Sequence, residues 1–287
     1  MTSGVAAELT WNVDGLALKG LAWGDPADAP VLALHGWLDN AASFALLAPQ
    51  LSGHYVVALD LTGHGQSDWR SPDATYQVYD DIPQIVGVVD QLGWDTFDLL
   101  GHSRGAIISS ILASAFPERV RRLVLLDGVS PPPLPDSEFV SQLRSYVKER
   151  KRLMARRPRI YPSVEAAVAA REEQGLPAEA ARLIATRNLR PCEGGHALTT
   201  DLRLRGASAV KLTPGQVNAT LDALKMPTLL LMAEQGLAVT HAKRFSAMDQ
   251  HVPRAQVETF PGGHHFHMES EVAKLGERVL SFFKDQK

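Results

Sequence analysis

The stretch FDLLGHSRGAIISSILASAF (97–116) decides the fold, because a strand pattern passes directly into a helix pattern there. The apolar run FDLLG (97–101) predicts a buried strand, and SRGAIISSILASAF (103–116) predicts a helix. At the junction, GHSRG (101–105) matches Gly-x-Ser-x-Gly, which becomes a specific signal in this strand-to-helix context. We expect the small residues to permit a sharp turn that lifts Ser103 Oγ above the carboxyl edge of the sheet. Ser103 is therefore a predicted nucleophile, and the alternative is a capping serine at a glycine-flanked helix start.

Strands and helices alternate on both sides of this motif. A hairpin is predicted for 8–13 and 16–23, around the turn Asp14-Gly15. Further predicted strands are 31–35, 54–61, 120–128, 227–233 and 255–260, and further predicted helices are 78–92, 240–249 and 269–284. This rhythm indicates right-handed βαβ units, hence an α/β fold with a mostly parallel, doubly wound sheet.

The rhythm stops at PPPLP (131–135) and resumes near residue 213. The intervening segment reads as helical with no clear strand, so we predict a core of residues 1–130 and 213–287 with a helical cap of residues 131–212. Residues 131–213 carry 15 Lys/Arg and 9 Asp/Glu, a net charge of +6. The densest basic run, 148–159, has no interleaved aromatic residue for base stacking, which favours a solvated helix face over a nucleic-acid patch.

Composition excludes several classes of function. The net charge of −3 gives no general attraction to nucleic acid, and no apolar run approaches the length of a membrane span. The single cysteine, Cys192, excludes an internal disulfide framework and a cysteine-based zinc site. The first residues lack the basic and apolar regions of a secretion signal, so we expect a cytoplasmic protein.

A nucleophilic serine needs a base, and the chain has ten histidines. Only GGHHFHME (262–269) lies in a loop after the last predicted strand, at the sheet edge that Ser103 reaches. His264 follows Gly263 directly and is the predicted base, with His265 as its rival. His267 is expected to be a packing or hydrogen-bonding neighbour.

Backbone amides can stabilise the oxyanion that such a nucleophile generates. LHGWLD (34–39) follows the third strand, where a loop amide joins the amide after the nucleophile in an oxyanion hole. We therefore predict that the amides of Trp37 and Arg104 form this hole. The Trp37 side chain alone would also fit a pocket or core aromatic.

Five motifs in this order resemble the α/β-hydrolase fold: HGWLDNAASF, DLTGHGQSD, GHSRG, RLVLLDG and GGHHFHME. More narrowly, HGWLDN, GGHALTTDLRLR (194–205) and GGHHFHME resemble the serine hydrolase-like group that includes the mesoderm-specific transcript proteins. That group lies close to haloalkane dehalogenases and epoxide hydrolases, which use an aspartate nucleophile where this chain has Ser103. The resemblance implies serine hydrolysis and supplies no substrate, and no metal or organic cofactor is implied.

The position of the triad acid departs from the pattern of many family members, which carry it in G-x-x-D after the seventh strand. The matching stretch here is MAEQGLAV (232–239), and Gly236 occupies the aspartate's place. Glu234 lies two residues earlier, whereas Asp127 ends the sixth strand, where related capped hydrolases place the acid. Asp127 is the predicted acid, with a turn-forming role in Asp127-Gly128 as the alternative.

The sequence thus predicts a carboxylic ester hydrolase with a small-molecule ester as its substrate. In this interpretation Ser103 attacks, His264 moves the proton and Asp127 orients the imidazole. The basic, interrupted cap has no long apolar run, which favours short to medium acyl groups. Lactone, thioester or C–C bond hydrolysis on the same scaffold, or a non-catalytic ligand-binding protein, are the alternatives, since a fold alone does not select a reaction.

Overall fold

The computed structural model describes residues 6–237, 239, 251–252 and 254–285. The predicted helix at 240–249 falls outside this range. The strands are β1 (Ala7–Val13), β2 (Leu16–Trp23), β3 (Ala29–Leu34), β4 (His54–Leu59), β5 (Phe97–His102), β6 (Val120–Leu126), β7 (Ile160–Tyr161), β8 (Leu189–Cys192), β9 (Gly195–Leu198), β10 (Thr228–Gln235) and β11 (Ala255–Gly263). The α-helices are α1 (Ile82–Gln91), α2 (Arg104–Ala115), α3 (Phe139–Met154), α4 (Val164–Glu172), α5 (Ala178–Arg187), α6 (Pro214–Asp222) and α7 (Val272–Lys284).

Eight strands form the main sheet in the order β1-β2-β4-β3-β5-β6-β10-β11. The hairpin β1-β2 and the β2-β4 pair are antiparallel, and all other neighbours are parallel. The parallel strands share one carboxyl edge, so the ends of β3, β5, β6, β10 and β11 converge there. This topology confirms the predicted α/β-hydrolase fold class.

Successive residues of the buried strands face opposite sides of the sheet. In β3, Leu32 and Leu34 pack in one core cluster with α1, α2 and α6, while Val31 and Ala33 pack in a second cluster with α7. A strand covered on both faces must be apolar throughout, which is why the parallel strands read as continuous apolar runs.

Helix α1 begins later than predicted, at Ile82 rather than residue 78. Pro83 lies in its first turn, where a missing amide hydrogen costs nothing. The preceding residues form a turn instead, in which the Asp80 carboxylate accepts hydrogen bonds from the Gln77 amide and the Thr75 hydroxyl.

The chain between β6 and β10 is not only helical, and the prediction of no strand there was wrong. Strands β7, β9 and β8 form a small antiparallel sheet that packs with α4 and α5. The β8–β9 hairpin turns at Glu193-Gly194, with Gly194 in the left-handed region at φ 84°. Strands β8 and β9 have four residues each, which is too short for a recognisable alternation of apolar and polar residues. In addition, β8 contains Pro191, and proline usually argues against a strand.

Helix α3 exposes an apolar stripe. Its residues are separated in the sequence, so no continuous apolar run indicates it. Phe139, Leu143 and Val147 recur every four residues, and each is more than a third exposed. Within the described part of the chain, no helix has both the length and the apolar character needed to cross a membrane.

Candidate active site

Ser103 occupies a strained turn between β5 and α2. Its φ of 51° lies in the left-handed region, which non-glycine residues rarely adopt. The turn depends on both glycines of GHSRG, since a Cβ at Gly101 would lie 2.6 Å from Ala106 Cα and one at Gly105 would lie 2.0 Å from Leu34 O. The sequence folds this way because only glycine permits α2 to start so close to the neighbouring strands.

Two other site residues share this unusual backbone conformation. Asp127, after β6, has a φ of 44°, and Leu38, in the loop after β3, has a φ of 63°. Such conformations cost on the order of 1–3 kcal/mol each and concentrate at functional sites. Their occurrence at the carboxyl edge marks this edge as the candidate site.

The structure brings Ser103, His264 and Asp127 into one hydrogen-bonded chain. His264 Nε2 lies 2.9 Å from Ser103 Oγ, and His264 Nδ1 lies 2.5 Å from Asp127 Oδ2. The Asp127 side chain is fully buried, whereas that of His264 is 30 % exposed. This geometry can pass a proton from the serine hydroxyl to the imidazole while the carboxylate faces the opposite ring nitrogen.

The end of β10 holds the Asp127 carboxylate in place. Asp127 Oδ1 accepts a hydrogen bond from the Ala233 amide (3.2 Å), and Oδ2 accepts one from the Leu237 amide (2.9 Å). Glu234, the other candidate acid, is exposed on the same strand. The fully buried carboxylate beside His264 is therefore that of Asp127.

Position 236 has room only for glycine, because the Asp127 carboxylate fills the neighbouring space. A Cβ at Gly236 would lie 2.3 Å from Asp127 Oδ2 and 2.6 Å from Ala233 Cβ. The Asp127 carboxylate, which follows the adjacent strand β6, therefore occupies the space that a side chain at position 236 would need.

Gly236→Ala is expected to lower kcat by about 10- to 100-fold, because displacement of a positioning group by about 1 Å has effects of this size. Steady-state kinetics on the best ester substrate measures the loss. Gly215→Ala is the matched control, since the nearest atom to its added Cβ lies 3.9 Å away. Wild-type kcat in Gly236→Ala would show that the Asp127 position does not limit the reaction.

The predicted oxyanion residues lie on two segments near the nucleophile. Arg104 is the first residue of α2, and Trp37 lies in the loop after β3. No described residue accepts a hydrogen bond from either backbone amide. The Trp37 ring is 49 % exposed, so it is not a core aromatic, and its Nε1 donates to Leu204 O at 2.8 Å.

The Arg104 side chain turns into a buried polar network. Its guanidinium donates to Asp81 Oδ2 and to Gln77 O, both at 3.2 Å. Burial raises the pKa of the Asp81 carboxyl, but Arg104 and the Thr62 hydroxyl outweigh burial and hold it below its ordinary value. The side chain of Arg104 is thus structural, and only its amide remains a candidate for the site.

Residues from the segment between β6 and β10 make hydrogen bonds to the loop after β3. Arg171 donates to Leu38 O (3.2 Å) and to Asp39 Oδ1 (2.6 Å), and Asn188 Nδ2 donates to Leu38 O (3.3 Å). Together with the bond from Trp37 to Leu204 O, these contacts fix the loop that carries the Trp37 amide.

A histidine cluster surrounds His264. The buried His102 donates from Nε2 to the His264 carbonyl oxygen at 2.8 Å, and its ring lies 4.1 Å from that of His267. Burial, reinforced by the neighbouring imidazoles of His267 and His264, lowers the pKa of His102 well below its ordinary value. His265, the rival base, lies 2.9 Å from Asp39 Oδ2, while His264 contacts Ser103.

Sequence reasoning missed His102, Asp39 and Arg171 as parts of this site. His102 and Asp39 lie inside the motifs GHSRG and HGWLD, which was the available signal. Arg171 lies on α4, far along the chain, and no local pattern connects it to Asp39.

Comparisons with known proteins agree with this fold. The profile of the alpha/beta hydrolase fold family matches residues 29–161. A serine hydrolase-like protein from Dictyostelium discoideum is 29 % identical over 95 % of this chain and 80 % of its own length. A human serine hydrolase-like protein is 40 % identical over half of this chain and 70 % of its own length. The crystal structure of a hypothetical protein from Pseudomonas aeruginosa PAO1 superposes with a TM-score of 0.91 at 37 % identity, covering 97 % of this chain and 99 % of that one.

Proposed function

The chain belongs to the α/β-hydrolase family, and from this premise we propose that it is a carboxylesterase acting on small or medium esters through an acyl-enzyme on Ser103. The observation that carries the proposal is the continuous chain from Ser103 Oγ through His264 to the buried Asp127 carboxylate. In a hydrolase of this fold, such a chain activates the serine hydroxyl as a nucleophile.

In the proposed reaction, Ser103 Oγ attacks the ester carbonyl carbon while His264 Nε2 accepts the hydroxyl proton. His264 then gives this proton to the leaving alkoxide, and an acyl-enzyme remains on Ser103. A water molecule, deprotonated by His264, then attacks the acyl carbon. The bond from this carbon to Ser103 Oγ breaks, His264 returns the proton to Oγ, and the carboxylic acid leaves. Asp127 fixes the imidazole tautomer and stabilises the imidazolium formed in each attack.

We propose that the amides of Trp37 and Arg104 stabilise the oxyanion in both steps. The free donor capacity of these amides among the described residues supports this role. The position of Arg104 at the start of α2 also directs a helix N-terminus toward the developing negative charge.

Residues 131–212 are proposed to form the cap that limits the size of the substrate. Hydrogen bonds from α4, from the loop after α5 and to Leu204 join this segment to residues 37–39. A cap joined to the oxyanion loop in this way supports a substrate space of fixed size rather than a lid that opens at lipid surfaces. The exposed apolar stripe on α3 is a surface that a long acyl chain could contact. Esters with long acyl chains are therefore the necessary comparison with short ones.

A series of p-nitrophenyl esters from acetate to palmitate tests the proposal. We expect kcat/KM to be highest for acyl chains of about two to eight carbons and to fall at least tenfold at palmitate, since each unaccommodated methylene loses binding energy. Ser103→Ala protein supplies the background rate. Rates that rise sharply on emulsified long-chain esters would contradict the size limit, and hydrolysis of lactones or thioesters without ester hydrolysis would contradict the substrate class.

A further inference from the structure

Behind the triad, two histidines and one aspartate bring three ligand atoms together. Nitrogen atoms of His102 and His265 and a carboxylate oxygen of Asp39 all lie within 4.8 Å of one another. We propose that Asp39, His102 and His265 form a binding site for a transition-metal ion such as Zn²⁺ or Co²⁺. The proposal concerns metal binding and does not depend on the proposed esterase activity.

The tautomer of the His102 ring decides which of its nitrogen atoms can bind a metal ion. Its Nε2 lies 2.8 Å from the His264 carbonyl oxygen, which can only accept, so Nε2 carries the hydrogen. The neutral ring therefore presents a lone pair at Nδ1. This atom is buried and has no hydrogen-bond partner in the part of the chain that the structure describes.

This lone pair faces a carboxylate oxygen without a donor between them. Asp39 Oδ2 lies 3.9 Å from His102 Nδ1 and 2.9 Å from His265 Nε2. Zinc binds imidazole nitrogen and carboxylate oxygen at about 2.0–2.2 Å, so two ligands of one ion lie about 3–4 Å apart. These two separations fall close to this range, and the three ligand atoms lie within 4.8 Å of one another, so small side-chain shifts would bring them around one cation.

The donor set is also chemically suitable. Imidazole nitrogen with carboxylate oxygen is a combination that Zn²⁺ and related ions accept, and three protein ligands leave a coordination position open. Because a metal ion would bind at His265 Nε2, this atom gives up its hydrogen bond to Asp39 Oδ2, and the neutral ring binds the ion in the tautomer that carries its hydrogen on Nδ1.

Neighbouring groups hold the ligands in position. Arg171 donates to Asp39 Oδ1, which leaves Oδ2 directed at the two histidines. The His264 carbonyl fixes the orientation of the His102 ring. Such outer contacts commonly orient metal ligands.

Access runs along His265. The Asp39 and His102 side chains are 2 % and 0 % exposed, whereas that of His265 is 19 % exposed. An ion can therefore meet His265 at the surface and then bind the two buried ligands. Because His265 follows His264 in the chain, the site is adjacent to the triad base but separate from its bonds to Ser103 and Asp127.

Zinc uptake by tag-free, metal-stripped protein tests the inference. Equilibrium dialysis with metal analysis is expected to give one tightly bound Zn²⁺ per chain, and Co²⁺ in its place is expected to give visible absorption bands. His265→Ala and Asp39→Asn are each expected to weaken Zn²⁺ binding at least tenfold, since even outer partners of a metal site contribute about 10- to 100-fold.

Two further variants separate this site from other metal-binding groups. His251→Ala removes a partly exposed histidine that pairs with Asp222 at 2.8 Å, and His264→Ala removes the triad imidazole. Both are expected to keep the single equivalent of zinc. Circular dichroism checks folding, and His265→Gln replaces His265→Ala if the latter is unfolded. The proposal is overturned if wild-type protein binds no stoichiometric zinc, if the His265 and Asp39 variants bind it as tightly as wild type, or if His251→Ala or His264→Ala abolishes binding.

Discussion

Ser103→Ala is expected to lower kcat on the best ester by about 10⁴- to 10⁶-fold, which is the usual cost of removing one member of a serine triad. The reason is that Ser103 Oγ, 2.9 Å from His264 Nε2, is the atom that would form the acyl-enzyme. Steady-state kinetics measures the loss, and thermal unfolding shows whether the variant remains folded.

Ser114→Ala provides the matched control for this change. Ser114 lies on the same helix, α2, and its hydroxyl donates to Ile111 O within its own turn. Wild-type kcat is expected for this variant. If Ser103→Ala instead kept more than a few per cent of wild-type activity, Ser103 would not be the nucleophile.

Asp127→Asn is expected to lower kcat by about 10²- to 10⁴-fold with little change in KM. The carboxylate interacts most strongly with the imidazolium that exists only during attack, so its loss acts on the transition state rather than on substrate binding. An amide nitrogen facing His264 Nδ1 would also favour the wrong imidazole tautomer. Comparison of kcat and KM for the two proteins measures this division.

Glu234→Gln is the control for the acid and is expected to cost less than about tenfold, because its exposed side chain lies outside the chain from Ser103 to Asp127. A crippled Glu234→Gln beside a nearly normal Asp127→Asn would reverse the assignment. Two mild single variants with a severe double variant would mean that the carboxylates share the role.

The main sheet and the candidate triad could be predicted because local patterns determine them. Buried parallel strands are continuous apolar runs, and the turn at Ser103 requires glycines at fixed positions on either side. The shared carboxyl edge of a parallel sheet then predicts that the three residues approach one another. In the chain, His264 lies 161 residues from Ser103 and 137 residues from Asp127. The strand order of the main sheet confirms the α/β-hydrolase fold that these patterns predict.

Other features depend on contacts that no local pattern encodes. The small sheet β7-β9-β8 was missed because its strands have two to four residues and owe their pairing to the surrounding helices. The contact between Arg171 and Asp39 joins residues 132 positions apart on different elements. Gly236 was recognised only as an absent aspartate, whereas the structure shows that the Asp127 carboxylate occupies the space beside it.

Covalent labelling with a fluorophosphonate, followed by peptide mass spectrometry, tests most directly whether Ser103 is an activated nucleophile. The reagent reacts with a serine hydroxyl only where a neighbouring base accepts its proton. We predict one adduct per chain, located on the peptide that contains Ser103, and no adduct in Ser103→Ala or His264→Ala protein. Folded wild-type protein that stays unlabelled, or an adduct at any other residue, would contradict the account.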